Sequence, residues 1–484
     1  MKFYNFKRLA LIFTVVFITI SCQKSLDINT DPNNASSATP KLVMPTAQFQ
    51  LGTVVGGTWG FIGSMWAQYW TGGYGVSTSQ LEYYNMVSSD VNGVWTRAYA
   101  RSLNDLQFLI KSGEPVYGGI AKILQAYTFQ MLCDLHGAIP MSQALKGAIE
   151  DGGIVTPKYD TEEEVYAALL PMIAAGITDI NAGTGLAPGA EDLIYGGDLA
   201  KWEIFANTLK LKILVRSGQY TAAKALMDAG TTFISSDADE CKLQFFETGQ
   251  NTNPIYAQFT ARVGVGMYYV GTKSSVDELV ALNDPRFNAI YTPGSGLGGQ
   301  EGVFSGDIND NTTLYPSGGT NTRFCRPNTA NVFNATVPVF FISSWESKFL
   351  QSEVLARTGG DGSTLFEEGV QASFDYYGIS LGTYASDFNF SAQTADDQLD
   401  LIAVQKWIAM NSLQMAEGWL ETLRFDRTGH KIFKEGIFTS PINNSLGTDG
   451  FPSSFVYPTQ EISNNSANVP AGRSVNSKRF WDTN

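Results

Sequence analysis

Histidine is almost missing from this chain: His136 and His430 are the only two in 484 residues. A zinc centre built on imidazole and thiolate is therefore excluded as a leading idea. Cysteine is equally sparse. Besides Cys22 there are Cys133, Cys241 and Cys325, too few and too scattered for a disulfide framework or a metal motif. Basic residues are also short, with 32 Lys and Arg against 46 Asp and Glu. A formal charge of −14 repels phosphate backbones and argues against nucleic acid. Nor is there a long apolar run after residue 21, so no transmembrane helix is expected in the remainder.

Catalytic motifs fail in the same way. Gly378-Ile379-Ser380-Leu381-Gly382 spells a nucleophile elbow, but it ends a helical pattern and reads as a helix stop. In "GMYYVGTKS", Thr272 separates Gly271 from Lys273, which breaks the phosphate-cradling register. Asp307, Asn309 and Asn311 have the spacing of a calcium loop. The glycine at its sixth position and the bidentate Glu at its twelfth are absent. A solvated turn is the default there, with a structural calcium as the weaker alternative. No other cofactor is expected. Paired carboxylates for glycoside hydrolysis stay open, because any two of the acids could meet in space.

What is present begins with the leader. Lys2, Lys7 and Arg8 precede an uncharged run from Leu9 to Ile20, then Ser21 and Cys22. That is a secretory signal over residues 1–21. Cysteine after a small residue resembles a bacterial lipobox, which implies cleavage before Cys22 and its lipidation. Losing Lys2, Lys7 and Arg8 takes the formal charge from −14 to −17. Residues 22–45 are polar and rich in Asn, Ser and Pro, and read as a tether.

Helices dominate from there. Thr161 with Glu164 forms a capping box, Glu162 to Glu164 favour the first turn, and Val165, Leu169, Met172, Ile173 and Ile180 share a face. Pro171 should kink that helix. Asp198 opens another, with Trp202, Phe205, Leu209 and Ile213 on one stripe and Gly218 beyond its end. Paired helices with glycine turns suggest degenerate tetratricopeptide-like hairpins. The fold class is mostly α: a single domain over 46–484, with a helical scaffold at about 46–247 and 338–430. A loop-rich, ligand-facing insert occupies about 248–337, and an irregular tail 431–484.

Aromatic rings among glycines and asparagines are the remaining signal. In "GSMWAQYWTGGYGVSTSQLEYY", Ile62, Trp66, Tyr69 and Trp70 fall at helical spacing, a buried stripe ended by Gly72 and Gly73. Tyr74, Tyr83 and Tyr84 lie beyond it among polar residues. Such rings can stack on sugar C–H faces while Asn and Asp orient hydroxyls.

The stretches "DLHGAIPMSQA" (134–144), "DLIYGGDLAKWEIFANTLKLKILVR" (192–216), "QKWIAMN" with "AEGWLETLRFDRTG" (405–429), and "YPTQEISNNSANV" (457–469) remain. Together they resemble the SusD/RagB-like outer-membrane nutrient-binding lipoproteins of Bacteroidetes. His136, Ala138 and Met141 depart from the family's turn. The resemblance implies an α-α superhelix on the cell surface, held to the membrane through its lipid only. It implies a partner, a SusC-like TonB-dependent barrel, and an oligosaccharide or peptide ligand without catalysis. It directs attention to Tyr74, Tyr83 and Tyr84 in the first loop and Tyr268, Tyr269 and Tyr315 in the middle region. A surface glycan hydrolase and a protein-binding scaffold are the competing readings.

Overall fold

The protein is represented by a computed structural model that describes residues 38–72, 80–248, 251–263, 269–307, 323–427, 437–447 and 450–482. Cys22 and the leader lie outside them. Eleven helices organise the fold: α1 Pro40–Val54, α2 Gly60–Trp66, α3 Asn104–Lys111, α4 Pro115–His136, α5 Glu162–Ile180, α6 Leu199–Arg216, α7 Tyr220–Asp228, α8 Ser344–Thr358, α9 Ser363–Tyr377, α10 Ala395–Met410 and α11 Met415–Arg427. Chain neighbours pack as antiparallel hairpins (α4 on α5, α8 on α9, α10 on α11), and α11 returns against α2. The architecture is mostly α and tetratricopeptide-like. The middle region carries short helices at Pro254–Val263, Lys273–Ala281 and Phe287–Ile290 between small two-stranded sheets.

Local chemistry sets the helix ends. Thr161 accepts from Glu164 N–H at 3.2 Å, and Glu164 Oε2 accepts from Thr161 N–H at 2.9 Å, the reciprocal box expected. Asp198 accepts from Ala200 and Lys201 at 3.1 and 3.3 Å. Helix α5 runs as one element through Pro171. Gly378 ends α9 with φ +64°, a left-handed stop rather than an elbow. The α4–α5 contact needs two glycines. A Cβ on Gly119 would come within 2.6 Å of Gly176 O, and one on Gly176 within 2.8 Å of Gly119 O.

The helices meet on charge as well as oil. Ten ionisable side chains, five of each sign, join α4, α6, α8, α10 and α11. Lys212 Nζ lies 3.0 Å from Glu346 and 2.9 Å from Glu417. Arg216 reaches Asp134 at 3.3 Å, Glu421 at 3.0 Å, and Glu417. Lys406 pairs Glu421 at 2.7 Å, and Arg424 bridges Glu421 and Glu353. Arg357 closes the chain on Glu353 at 2.7 Å. Each helix supplies its members at helical spacings, as Lys212 with Arg216 and Glu417 with Glu421 and Arg424 show, so one face carries them. The C-terminal segment seals one end: Trp481 Nε1 donates to Asp134 at 2.9 Å, and its ring lies over Arg216.

Burial by itself would raise every carboxyl in this network. At Glu353 the guanidiniums of Arg424 and Arg357 outweigh it and hold the pKa at about 2. At Glu421 burial is likewise overridden, by Arg424, Lys406 and Arg216. Because Glu353 titrates below its usual range, its contribution is present above that range and is lost as pH falls toward 2. Arg424→Met would leave two buried carboxylates short of a partner. Chemical denaturation at pH 7 is expected to show a loss of about 3–5 kcal/mol, whereas Lys224→Met, at a half-buried surface pair with Asp228, should cost no more than about 1 kcal/mol.

Candidate functional site

The aromatic stretch resolves into a core and a root. Ile62, Trp66, Tyr69 and Trp70 are all buried. Trp66 Nε1 donates to Leu81 O at 3.0 Å, Tyr69 Oη to Trp407 O at 2.7 Å, and Trp70 Nε1 to Ser412 Oγ at 2.9 Å. The helix that carries them is shorter than the spacing suggests. It ends at Trp66, and Trp70–Gly72 is a strand, β1. The cause is Gln68, which turns into the left-handed region at φ 52° and redirects the chain.

Gln68 has all of its amide positions used. Its Nε2 donates to Tyr84 Oη at 2.8 Å and to Thr439 O at 2.7 Å. Its Oε1 accepts from Ser274 Oγ at 2.5 Å and from Thr439 N–H at 3.1 Å. Four satisfied bonds on one buried amide explain how an unfavourable φ persists. Tyr84 sits at the other end of this network, also at positive φ (62°).

Tyr84 therefore corrects the sequence reading. It is 0% exposed, its ring packs against Phe451, and it has no face to offer a ligand. Tyr83, one residue earlier, is half-buried. Its ring lies over Gly306 so closely that a Cβ there would come within 2.6 Å of it.

Strand β1 pairs antiparallel with β2, Tyr269–Gly271, with Gly72 opposite Tyr269. Gly306 N–H donates to Thr71 Oγ1 at 2.9 Å. The described ends at Gly72, Tyr269 and Asp307 thus stand at one root. Tyr83 and Tyr269, one from each predicted tyrosine group, are both on it. Tyr269 is half-buried and meets Phe61 edge-on at 5.8 Å. Tyr74, Tyr268 and Tyr315 lie outside the described residues, as do Asn309 and Asn311. Asp307 is described and buried, and no cluster of three metal-ligating side chains occurs among the described residues.

Sequence reasoning passed over Glu82. It is wholly buried, and one oxygen accepts from Thr71 Oγ1 at 2.7 Å and from Gly72 N–H at 3.0 Å. The other oxygen has no partner among the described residues. Burial lifts its pKa to about 7, only partly offset by those two donors. Its signal in the sequence was its isolation, a lone acid in a stretch of rings.

The model of a family described as SusD-like, starch-binding and associating with the outer membrane, matches residues 32–458. The chain belongs to the SusD-like family. Solved SusD-like structures share its fold. A chitin-binding protein superposes with TM-score 0.74 at 22% identity, covering 91% of this chain and 100% of its own. A SusD/RagB family protein from Bacteroides thetaiotaomicron gives 0.73 at 22%, covering 92% and 99%. A chitin-binding SusD homologue from Flavobacterium johnsoniae gives 0.73 at 19%, covering 90% and 98%. No curated protein matches in sequence.

The SusD-like stretches turn out to be scaffold. Asp192 accepts from Gln48 Nε2 and from Trp202 Nε1, both at 2.8 Å. His136 fills the slot of an aromatic residue. It is enclosed by Trp95, Phe455 and Tyr457, Nδ1 lies 3.0 Å from Val456 O, and burial drives its pKa down to about 3.

Glu82 makes the root sensitive to pH. Its folded pKa is raised from 4.5 to about 7. Its contribution to stability is therefore full below pH 4.5 and is lost as pH rises through 7. Glu82→Gln keeps the acceptor for Thr71 and removes the buried charge. Thermal unfolding should show the variant more stable than the parent at pH 8, by on the order of 3 kcal/mol, and the two nearly equal at pH 4.

Proposed function

We propose that this SusD-like protein is a cell-surface lipoprotein, anchored through Cys22, that binds an oligosaccharide. It then delivers its ligand to a partner TonB-dependent outer-membrane transporter, and it is not an enzyme. The observation that carries the reading is the common root. Half-buried Tyr83 and Tyr269, from segments about 185 residues apart in sequence, stand on strands and turns locked by β1, β2 and Gly306. Rings held on a rigid base can stack against sugar faces at low entropic cost. The family description, starch-binding and associating with the outer membrane, supports both the ligand class and the location. Chitin binding by two proteins of the same fold makes β-linked N-acetylglucosamine chains a sensible first probe beside starch chains. The acidic balance of the chain disfavours polyanionic glycans.

Calorimetric titration against neutral oligosaccharides and peptides checks this. Tyr83→Ala and Tyr269→Ala are expected to weaken glycan binding by about 1–3 kcal/mol with little loss of fold stability. Tyr84→Ala should instead lower stability by about 3–5 kcal/mol. Reducing ends released during incubation would turn the reading toward a hydrolase. Detergent extracts in which no barrel accompanies the lipoprotein would remove the transporter partner.

A further inference from the structure

Four of the nine large apolar side chains that stand in water among the described residues gather at one end of the helical scaffold. Leu42 is 57% exposed, Phe108 36%, Ile149 91% and Leu186 60%. Their placement follows from the bonds around the start of α4. Helix α3 carries Phe108 and ends at Lys111, just before α4 begins at Pro115. Lys111 pairs with Asp151, which follows Ile149 in a tight turn. Leu186 N–H donates to Glu114 Oε2 at 2.6 Å, and a Cβ on Gly185 would come within 2.8 Å of the Pro115 ring. Helix α1 runs antiparallel to the chain that enters α3: Arg97 donates to Gln50 Oε1 at 2.8 Å and Ser102 Oγ to Ala47 O at 3.4 Å. That direction brings the first turn of α1, with Leu42, to the level of Phe108.

The segment that leads back to Cys22 departs from this same end. Helix α1 starts at Pro40, and Ala38 is 38 − 22 = 16 residues from Cys22. Sixteen residues reach no further than about 55 Å. The opposite end of the 22-residue helix α4 lies about 33 Å further off. A single exposed apolar residue is ordinary. Four around the point where a membrane-bound tether joins the body have a surface to meet.

We infer that this end of the scaffold rests on the lipid surface, with Leu42, Phe108, Ile149 and Leu186 dipping into the headgroup layer. The inference rests on the reading that Cys22 carries the lipid. The four side chains stand on four separate elements. A stable protein partner needs a continuous, complementary surface of roughly 800 Å² a side, whereas a fluid interface takes separate apolar groups one by one. Charge does not oppose the contact. Lys111 is paired with Asp151 and Lys122 with Asp179 at 2.5 Å. Lys41 and Glu150, both exposed here, have opposite signs. Neutral headgroups therefore suffice. The contact also orients the proposed glycan face. Phe455 N–H donates to Leu135 O at 2.8 Å, its ring meets Trp66 at 5.2 Å, and Trp66 holds Leu81 O. The Tyr83 corner thus lies toward the other end of α4, away from the lipid.

Fluorescence quenching on the full, acylated protein in phosphatidylcholine vesicles tests this. Cys133, Cys241 and Cys325 are buried, so a dye can be attached selectively to Glu150→Cys, beside Ile149, or to Asn476→Cys. Asn476 is close to Arg479, which donates to Asp134 O at the far end of α4. Phosphatidylcholine with a doxyl group just below the headgroup should quench the dye at 150 more than the dye at 476, by on the order of twofold. Leu42→Ser, Ile149→Ser and Leu186→Ser together should bring the two dyes to one level while melting temperature and glycan binding stay at parental values. Intact mass reads the acyl chains on Cys22 separately. Acylated protein with equal quenching at both positions would overturn the membrane contact and leave the lipoprotein reading standing. A triple variant quenched as strongly as the parent would overturn the assignment of these side chains. A mass without acyl chains would remove the lipoprotein reading and this inference with it. Crosslinking of position 150 to a barrel in native membranes, with no quenching in vesicles, would overturn the lipid assignment in favour of the transporter.

Discussion

The helical scaffold depends on a charge network that has no alternative partners. Asp134, Glu346, Glu353, Glu417 and Glu421 face Lys212, Arg216, Arg357, Lys406 and Arg424, and nine of the ten are almost wholly removed from water. In a low-dielectric interior an unpaired member is far costlier than a paired one is helpful. The network therefore selects one arrangement of five helices more than it adds net stability. A helix shifted by one turn would strand a charge. Apolar packing alone would tolerate such a shift more readily.

That rigidity matters because the candidate face is attached to it at few points. Tyr69 stacks on Trp407 of α10 at 5.5 Å and donates to its backbone, while Trp407 Nε1 returns a bond to Ala67 O at 2.9 Å. Gln68 and Tyr84, two residues at positive φ, are joined by a hydrogen bond just behind the root. The scaffold overdetermines this corner and holds it in a conformation that local preference opposes. Glu82 and Ser305 each keep a buried oxygen there that has no partner among the described residues.

The stretches that carry the family resemblance explain themselves physically. Asp134, Lys212, Arg216, Glu417, Glu421 and Arg424 all fall within them, and each is a member of the buried network. Asn465 and Asn468 donate to the backbone of Pro157 and Thr156 at 2.8 and 3.1 Å. A resemblance of this kind reports how helices are held. It says less about any ligand.

Sequence alone determined most of the helices and the capped ends, because caps, dipole-matched acids and apolar periodicity act within a few residues. Thr161, Asp198 and Gly378 are each legible that way. It also marked Trp66, Tyr69 and Trp70 as core, although Tyr69 and Trp70 are buried beyond the end of that helix and not on its stripe. Only the tertiary structure decided the fate of Tyr83 and Tyr84. Adjacent and chemically identical, they separate into a half-buried ring and a buried one. What parts them is an acceptor–donor match with Gln68, sixteen residues earlier in the chain. Gln68 is itself held by Thr439, 371 residues away. No local pattern encodes a partner at that distance. The Glu82 oxygen left without a partner among the described residues is hidden from sequence for the same reason: a missing partner is visible only when the neighbours are in place.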